Sequence, residues 1–293
     1  MMRNDPCWCG SQKKWKKCHY PKQPLREEYL KKYGIILKNE EQIVGIRHAC
    51  RLAATVLDKL CSTAKVGVTT NELDQYAKEL FVEKHAISCC IGYGEPPFPK
   101  HICTSLNDVI CHGIPNDIPL AQGDIVNIDV ACILNGYYGD CSKMIALEPI
   151  DAEKRRVVDV SLECLNRAAQ VLKPNSKLCE IGKVIESYAS SQNCSVVDQF
   201  VGHGVGVGFH EEPQVAHHYN HSQIPLTAGM TLTIEPMINA GKRSGYVDKD
   251  HWTCRTVDGK PSAQWEHTFL ITETGYEILT IPDYTLFSHV RPK

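Results

Sequence analysis

Residues 120–147, LAQGDIVNIDVACILNGYYGDCSKMIAL, decide how this chain folds. Two runs rich in β-forming residues flank the dipeptide Asn135-Gly136. That dipeptide is the best former of a two-residue type I′ hairpin turn. With such a turn, Leu134 lies opposite Tyr137, and the two runs form an antiparallel hairpin.

The register of this hairpin brings two acidic side chains together. It places Ala131 opposite Asp140, and Asp129 opposite Ser142. Opposed residues share a face of the sheet, as do residues two apart, so Asp129 and Asp140 become diagonal neighbours roughly 5–8 Å apart. Carboxylates this close repel each other or raise each other's pKa unless a cation lies between them. The hairpin therefore predicts a cation site; a pair of solvent-facing acids is the alternative.

The composition is typical of a globular cytoplasmic protein. The 293 residues carry a net charge of −2 and are 43% hydrophobic, and no run approaches the ~18 apolar residues of a membrane span. The first ten residues, MMRNDPCWCG, lack the apolar region of a secretory signal. The fifteen cysteines are scattered, which suits reduced core thiols better than a disulfide framework. We expect a cytoplasmic protein without a membrane span, and a monomer.

Residues 1–22 are predicted to be a separate small unit. Cys7, Cys9, Cys18 and His19 follow the spacing C-x-C-x8-C-H. Three thiolates and an imidazole match a closed tetrahedral zinc site, and so short a segment needs a metal to supply its folding energy. The unit resembles the SEC-C motif, a small zinc-binding module, which implies zinc ligation by these four residues. A disordered tail is the alternative.

The beginning of the chain is basic. Residues 1–40 contain ten Lys or Arg and four Asp or Glu, a local charge of +6. A basic arm folded around a metal suggests docking on an anionic partner, such as the ribosome or another nucleic-acid surface. A merely solubilising tail is equally compatible. Residues 23–40 are predicted to be a linker into the main domain, residues 41–293.

Two pairs of helices are predicted, one on each side of the hairpin. Apolar residues recur at 3–4 spacing from Glu41 to about Cys61, and a second helix follows the capping sequence at 69–71. The same criteria predict helices over 151–172 and 178–191.

The strands that follow the two helix pairs echo each other, since LTAGMTLTIEPMI resembles LAQGDIVNIDVAC. In each strand a glycine precedes an acid by six residues: Gly123 precedes Asp129, and Gly229 precedes Glu235. The echo predicts an internal duplication, in which two α/β halves each give a strand acid to one cleft. A chance similarity of two common helix–helix–strand units is the alternative.

Further candidate ligands follow. Glu266 lies in the β-rich run SAQWEHTFLIT, and His203 and His210 lie in HGVGVGFH, whose glycines favour a loop or a distorted strand. Two Asp, two Glu and one His suit a pair of divalent first-row ions better than a structural zinc. Two such ions about 3.5–4 Å apart can lower the pKa of a shared water and polarise a carbonyl. The set therefore predicts hydrolytic chemistry.

This constellation resembles the type I methionine aminopeptidases. The matching motifs are CHGIPND at 111–117, GDIVNIDVACILNGYYGDCSKM at 123–144, VGHGVGVGFHEEP at 201–213, MTLTIEPMI at 230–238 and WEHTFLIT at 265–272. The resemblance covers about residues 41–290. It implies an α/β (α+β) pita-bread fold, two pseudo-symmetric halves around an antiparallel sheet. It also implies two divalent ions, for which cobalt, manganese and iron are all suitable, held by Asp129, Asp140, His203, Glu235 and Glu266.

The resemblance implies further roles. His112 and His210 match two cleft histidines that contact the substrate and the tetrahedral intermediate, and Glu235 matches a ligand that also acts as general base. With these two histidines, the implied methionine pocket contains Cys90, Tyr93, Phe98, Cys103, Phe209 and Trp252. A plain core role is the alternative for the two cysteines. The sequence departs from the family pattern where EPP adds two residues between Tyr93 and Phe98.

The implied activity is removal of the initiator methionine from nascent polypeptide N-termini, with a small second residue preferred. One alternative is a proline-directed peptidase of the same fold, which shares the five ligands. Such enzymes usually have longer N-terminal domains and additional cleft histidines. The other is an inactive pita-bread binding module, but such proteins have generally lost metal ligands, and all five are present here.

Overall fold

The computed structural model describes residues 2–18 and 24–287. Short 3-10 helices cover Trp15–Lys17 and Tyr284–Phe287. The α-helices of these ranges are α1 (Leu25–Tyr33), α2 (Glu40–Thr63), α3 (Thr70–Glu83), α4 (Ala152–Gln170) and α5 (Cys179–Ser191).

The strands of the N-terminal half are β1 (Ile87–Ser88), β2 (Cys103–Leu106), β3 (Val109–Cys111), β4 (Ile125–Leu134) and β5 (Tyr137–Ala146). Those of the C-terminal half are β6 (Ser195–Val196), β7 (Gly202–Gly204), β8 (Glu211–Val215), β9 (Thr231–Ile234), β10 (Met237–Asn239), β11 (Gly245–Val247), β12 (Cys254–Thr256), β13 (Ser262–Gln264), β14 (His267–Ile271) and β15 (Tyr276–Ile278). All their pairings are antiparallel. One sheet joins β1, β4, β2 and β5, and another has the order β15-β14-β9-β7-β8. Smaller sheets join β13-β10-β6 and β11-β12-β3.

The hairpin has the predicted turn and register. Asn135 and Gly136 have φ angles of 51° and 82°, the two positive values that a type I′ turn requires. All ten residue pairs of the β4–β5 ladder follow from this turn, and Asp129 lies opposite Ser142.

The helices begin where side chains satisfy their first N–H groups. Asn39 and Gln42 form a reciprocal capping box at the start of α2, and Thr69 and Glu72 form another at the start of α3. Asp151 accepts a hydrogen bond from the Lys154 N–H at the start of α4. Such caps are typically worth about 1 kcal/mol each.

Each helix pair packs on its own sheet, as the duplication predicted. One apolar core joins α2 and α3 to the hairpin sheet and contains Leu57 and Ile128. A second joins α4 and α5 to the C-terminal sheets and contains Val157 and Leu232. Both halves contribute candidate metal ligands.

The two glycines of the echo adopt the same conformation. Gly123 has a φ of 91° and Gly229 a φ of 88°, values that favour glycine. Each glycine lies just before the strand that leads to its acid.

The linker predicted for residues 23–40 is wrong for the described part of that range. Residues 25–33 form α1, and Tyr29, Ile35 and Leu37 are buried in the core of the C-terminal half. The Tyr29 hydroxyl donates a hydrogen bond to the Pro225 carbonyl, 2.9 Å away. A nine-residue helix with one buried side chain has little apolar periodicity, so the pattern did not reveal it.

Two expectations from the composition can be compared with the structure. The twelve cysteines of residues 24–287 carry free thiols. Within the described ranges, none of the helices has the length and apolar character needed to cross a bilayer.

Candidate active site

The four acids predicted to bind metal lie within strands or directly beside them. Asp129 and Asp140 project from β4 and β5. Glu235 directly follows β9, where a proline comes next in the chain. Glu266 lies between β13 and β14, and its backbone N–H donates to the Ser142 carbonyl at 3.1 Å. This bond ties the C-terminal half to the hairpin.

The structure brings all five predicted ligands together. Carboxylate oxygens of Asp129, Asp140 and Glu266 lie within 4.8 Å of one another. His203 Nε2 lies 3.6 Å from Asp140 Oδ2 and 3.6 Å from Glu235 Oε1. We call these five side chains the acid cluster.

Burial makes the acid cluster unfavourable without a cation. Burial raises the pKa of Asp129 to about 7 and that of Glu235 to about 8. Burial, followed by repulsion from the other acids, raises the pKa of Asp140 and Glu266 well above the ordinary range. In residues 2–18 and 24–287, no Lys or Arg forms a salt bridge with any of the four acids.

His203, the fifth candidate ligand, is neutral. Burial lowers the pKa of His203 to about 4, and Nδ1 lies 2.9 Å from the Gly204 carbonyl. A carbonyl only accepts, so Nδ1 carries the proton and Nε2 presents a lone pair to the acids. Four carboxylates and one such imidazole fit divalent first-row ions.

Surrounding side chains hold Glu235 in place. Thr233 Oγ1 donates to Glu235 Oε1 at 2.8 Å, and Gln264 Nε2 donates to Oε2 at 3.0 Å. The Glu235 backbone N–H donates to His217 Nε2 at 3.1 Å. Sequence reasoning missed these three supporting residues. Only the position of Thr233 two residues before Glu235, on the same face, could have indicated one of them.

The acid cluster opens into a cavity of about 600 Å³. The whole predicted methionine pocket lines this cavity together with the acid cluster. These predicted pocket residues are Cys90, Tyr93, Phe98, Cys103, His112, Phe209, His210 and Trp252. Residues that the sequence did not single out also line it: Gln199, Phe200, Val201, Glu211, Glu212, Gln214 and Met237.

The loop with the two additional residues packs on Trp252. The indole Nε1 donates to the Pro96 carbonyl at 2.9 Å, and a side chain at Gly94 would come within 2.4 Å of the indole ring. Phe98 meets Trp252 edge to face, with ring centroids 5.3 Å apart. The insertion therefore leaves Phe98 in the cavity wall.

The two cleft histidines come from distant parts of the chain and both line the cavity. His112 follows β3 in a left-handed conformation, with a φ of 56°. Burial lowers its pKa to about 4, and burial also lowers the pKa of His210. His210 Nδ1 lies 2.8 Å from the Tyr93 hydroxyl. His112 is therefore neutral near pH 7 and can donate one hydrogen bond to a substrate.

Three of the four predicted zinc ligands converge in the N-terminal unit. Sulfur atoms of Cys7, Cys9 and Cys18 lie within 4.8 Å of one another, and Cys9 lies 3.5 Å from each of the other two. Hydrogen bonding to Ser11 lowers the pKa of Cys9 to about 6, which favours the thiolate that binds metal. His19, the fourth predicted ligand, lies outside the described residues.

Family models match both parts of the chain. The model of metallopeptidase family M24 matches residues 44–273, and the SEC-C motif matches residues 3–21. The chain belongs to metallopeptidase family M24.

Similar proteins indicate which kind of M24 metallopeptidase this chain resembles. A methionine aminopeptidase of Chlamydia muridarum is 60% identical over 97% of this chain and 100% of its own length. That of Escherichia coli strain K12 is 45% identical over 85% of this chain and 94% of its own. The crystal structure of the enzyme from Rickettsia prowazekii has a TM-score of 0.81 at 42% identity, covering 84% of this chain and 100% of that one. The predicted fold and resemblance to the methionine aminopeptidases are confirmed.

Proposed function

We infer that this enzyme removes the N-terminal methionine of nascent proteins, with two divalent ions held by the acid cluster. One observation carries the inference. A cluster of five metal-ligating side chains lies in the same cavity as an apolar wall of aromatic rings and thiols. Chemistry at the cluster therefore acts on a residue whose side chain the wall selects.

The apolar wall suits a methionine side chain. Cys90 and Cys103 are buried beside Phe98, and Tyr93 meets Phe209 edge to face with ring centroids 5.3 Å apart. A thioether is flexible and polarisable, and it makes favourable contacts with ring edges. We propose that this wall binds the first side chain of the substrate.

Each side chain near the cleft has a proposed task. When bound, divalent ions supply Lewis acidity and lower the pKa of a water, as cobalt, manganese or iron can do. Glu235, oriented by Thr233 and Gln264, accepts a proton from the attacking water and returns it to the leaving amine. His112 and His210 donate hydrogen bonds to the carbonyl oxygen or position the scissile amide.

Three finer proposals concern the rest of the protein. The free thiols of residues 24–287 support a reducing compartment, for which we propose the cytoplasm. The three converging sulfurs support a structural zinc.

The +6 charge of residues 1–40 supports docking on the ribosome. Co-sedimentation with ribosomes that persists at high salt or without residues 1–22 would contradict electrostatic docking by this unit.

The experiment uses purified protein stripped of metal and resupplied with Co(II), Mn(II) or Fe(II). Release of the first residue is measured from Met-Ala-Ser, Leu-Ala-Ser and Ala-Pro-Ser. We expect metal-dependent release of methionine alone. Preference for Ala-Pro-Ser would support a proline-directed peptidase, and no release with metal bound would support a binding module.

A further inference from the structure

A buried ion pair joins the N-terminal segment to the loop that carries His210. Lys38 Nζ lies 2.5 Å from Glu211 Oε2, and the two side chains are only 1% and 7% exposed. Lys38 immediately precedes Asn39, the residue that caps α2. None of the steps proposed above uses this pair.

The second oxygen of Glu211 fastens the glycine-rich loop between β7 and β8. Glu211 Oε1 accepts hydrogen bonds from the backbone N–H groups of Val207, at 2.7 Å, and Gly208, at 2.6 Å. Hydrogen bonds to an ionised acceptor are roughly twice as strong as neutral ones. The loop continues into Phe209 and His210, which line the cavity. Glu211 therefore determines where this part of the cavity wall lies.

Lys38 belongs to a firmly anchored segment. Its backbone N–H donates to the Gly229 carbonyl at 2.8 Å. Ile35 and Leu37 on the same segment are 0% and 6% exposed in the core. The ion pair thus fixes a loop that lacks regular structure to a part of the fold that is fixed by packing.

Stability alone does not account for this pair. Burial lowers the pKa of Lys38, and attraction to Glu211 only opposes this effect. Burying two charges carries a large desolvation cost, so a buried pair is weak evidence of net stabilisation. Removing one partner, in contrast, leaves the other charge buried and unpaired, and the loop must then rearrange.

We propose that Lys38 and Glu211 are positioning residues for methionine removal, which hold the glycine-rich loop so that Phe209 and His210 face the substrate. The proposal rests on the role given to His210 above. It adds that Lys38, on the segment before α2, supports the site although it is not among the residues that line the cavity.

The test compares Lys38→Met, Glu211→Gln, the double variant and the control Arg47→Met. Arg47 and Glu277 form a partly exposed ion pair, with side chains 26% and 36% exposed. The kcat and KM for Met-Ala-Ser and the affinity for Mn(II) are measured at a temperature where circular dichroism shows each variant folded. A displacement of about 1 Å can cost about 100-fold in rate, so we expect each single variant to lose about 10–100-fold in kcat.

Two further results are expected. Mn(II) affinity stays unchanged, because neither side chain belongs to the acid cluster and their hydrogen bonds go to each other and to Val207 and Gly208 instead. The double variant regains most of the kcat, because no charge remains unpaired and a glutamine oxygen still accepts from the loop. Arg47→Met keeps the wild-type kcat.

Folded single variants with wild-type kcat would overturn the proposal. So would a double variant that is as impaired as Lys38→Met, or a loss of activity that follows Mn(II) affinity. If Lys38→Met does not fold, Glu211→Gln decides by the same criteria. If wild-type protein releases no methionine, the proposed function fails instead, so the two failures are distinguishable.

Discussion

In the N-terminal half, Asp129 and Asp140 project from an unbroken hairpin of ten residue pairs, whereas in the C-terminal half Glu235 and Glu266 lie where strands are interrupted. The backbone pairing of the hairpin determines the positions of Asp129 and Asp140. Glu235 instead depends on hydrogen bonds from Thr233 and Gln264. The duplicated halves thus position equivalent acids by backbone pairing in one case and by side-chain contacts in the other.

This difference has a physical consequence. A ladder of ten residue pairs resists single substitutions. Metal binding by Asp129 and Asp140 should therefore be lost only when these acids are themselves replaced. An acid at a strand break depends on individual neighbours. Replacing a neighbour of Glu235 should therefore weaken the site without touching a ligand.

Replacing Asp140 should abolish activity. The variant Asp140→Asn removes a charged oxygen that contributes several kcal/mol through the bound ions, so kcat/KM for Met-Ala-Ser should fall about 1000-fold. The hairpin should stay folded, because asparagine has the same shape. The control Asp159→Asn changes an exposed acid on α4 and should keep full activity. Unchanged release by Asp140→Asn would contradict the proposed site.

Metal removal should destabilise the protein most at alkaline pH. Asp129 and Glu235 have pKa values of about 7 and 8 without metal, against ordinary values of 3.8 and 4.5. The metal-free folded state then binds more protons than the unfolded state between pH ~4 and ~8, so its stability is highest at low pH and falls as the pH rises through these raised values. Ions at 100 times their Kd add about 2.7 kcal/mol.

Thermal unfolding at pH 5 and pH 8 measures this effect. The Tm of metal-free protein should be lower at pH 8, and Mn(II) should raise it more there than at pH 5. A metal-free Tm that is higher at pH 8 than at pH 5 would show that the four acids are not stabilised by protons in the absence of an ion.

Replacing Gln264 tests the dependence of Glu235 on its neighbours. Gln264→Ala removes the hydrogen bond to Glu235 Oε2. Residues that orient metal ligands typically contribute 10–100-fold in metal affinity or activity, so we expect a loss of about that size in Mn(II) affinity. Calorimetric titration measures it, with the exposed Gln223→Ala as control. Wild-type affinity would show that Glu235 needs no such support.

Replacing Thr233 should have the smallest effect. Thr233→Val keeps the shape but removes a hydroxyl that donates to Glu235 Oε1 and accepts from the His203 N–H. A lost buried hydrogen bond costs about 1–3 kcal/mol, so the free energy of unfolding should fall by about that amount. Activity should fall only a few-fold, because Gln264 still orients the carboxylate. A loss of activity as large as that of Asp140→Asn would show that Thr233 matters as much as a metal ligand.

The hairpin half was predictable because its signals are local. An Asn-Gly turn and alternating side chains determine the register, and the register alone brings Asp129 beside Asp140. The resemblance supplied the cavity residues, including Phe98, whose neighbouring insertion packs against Trp252.

The supporting contacts were not predictable because they join distant parts of the chain. Gln264 and Glu235 are 29 positions apart, and Lys38 and Glu211 are 173 apart. A short apolar segment such as 35–37 has no period to reveal that it enters the core. Only the folded chain shows these pairings.

We propose that acids from both halves complete one site for two ions. The most direct measurement is Mn(II) stoichiometry together with methionine release, for wild-type protein, Asp129→Asn from one half and Glu235→Gln from the other. We expect two ions in the wild type, and reduced binding and little activity in both variants. Full Mn(II) stoichiometry with wild-type release in either variant would contradict it.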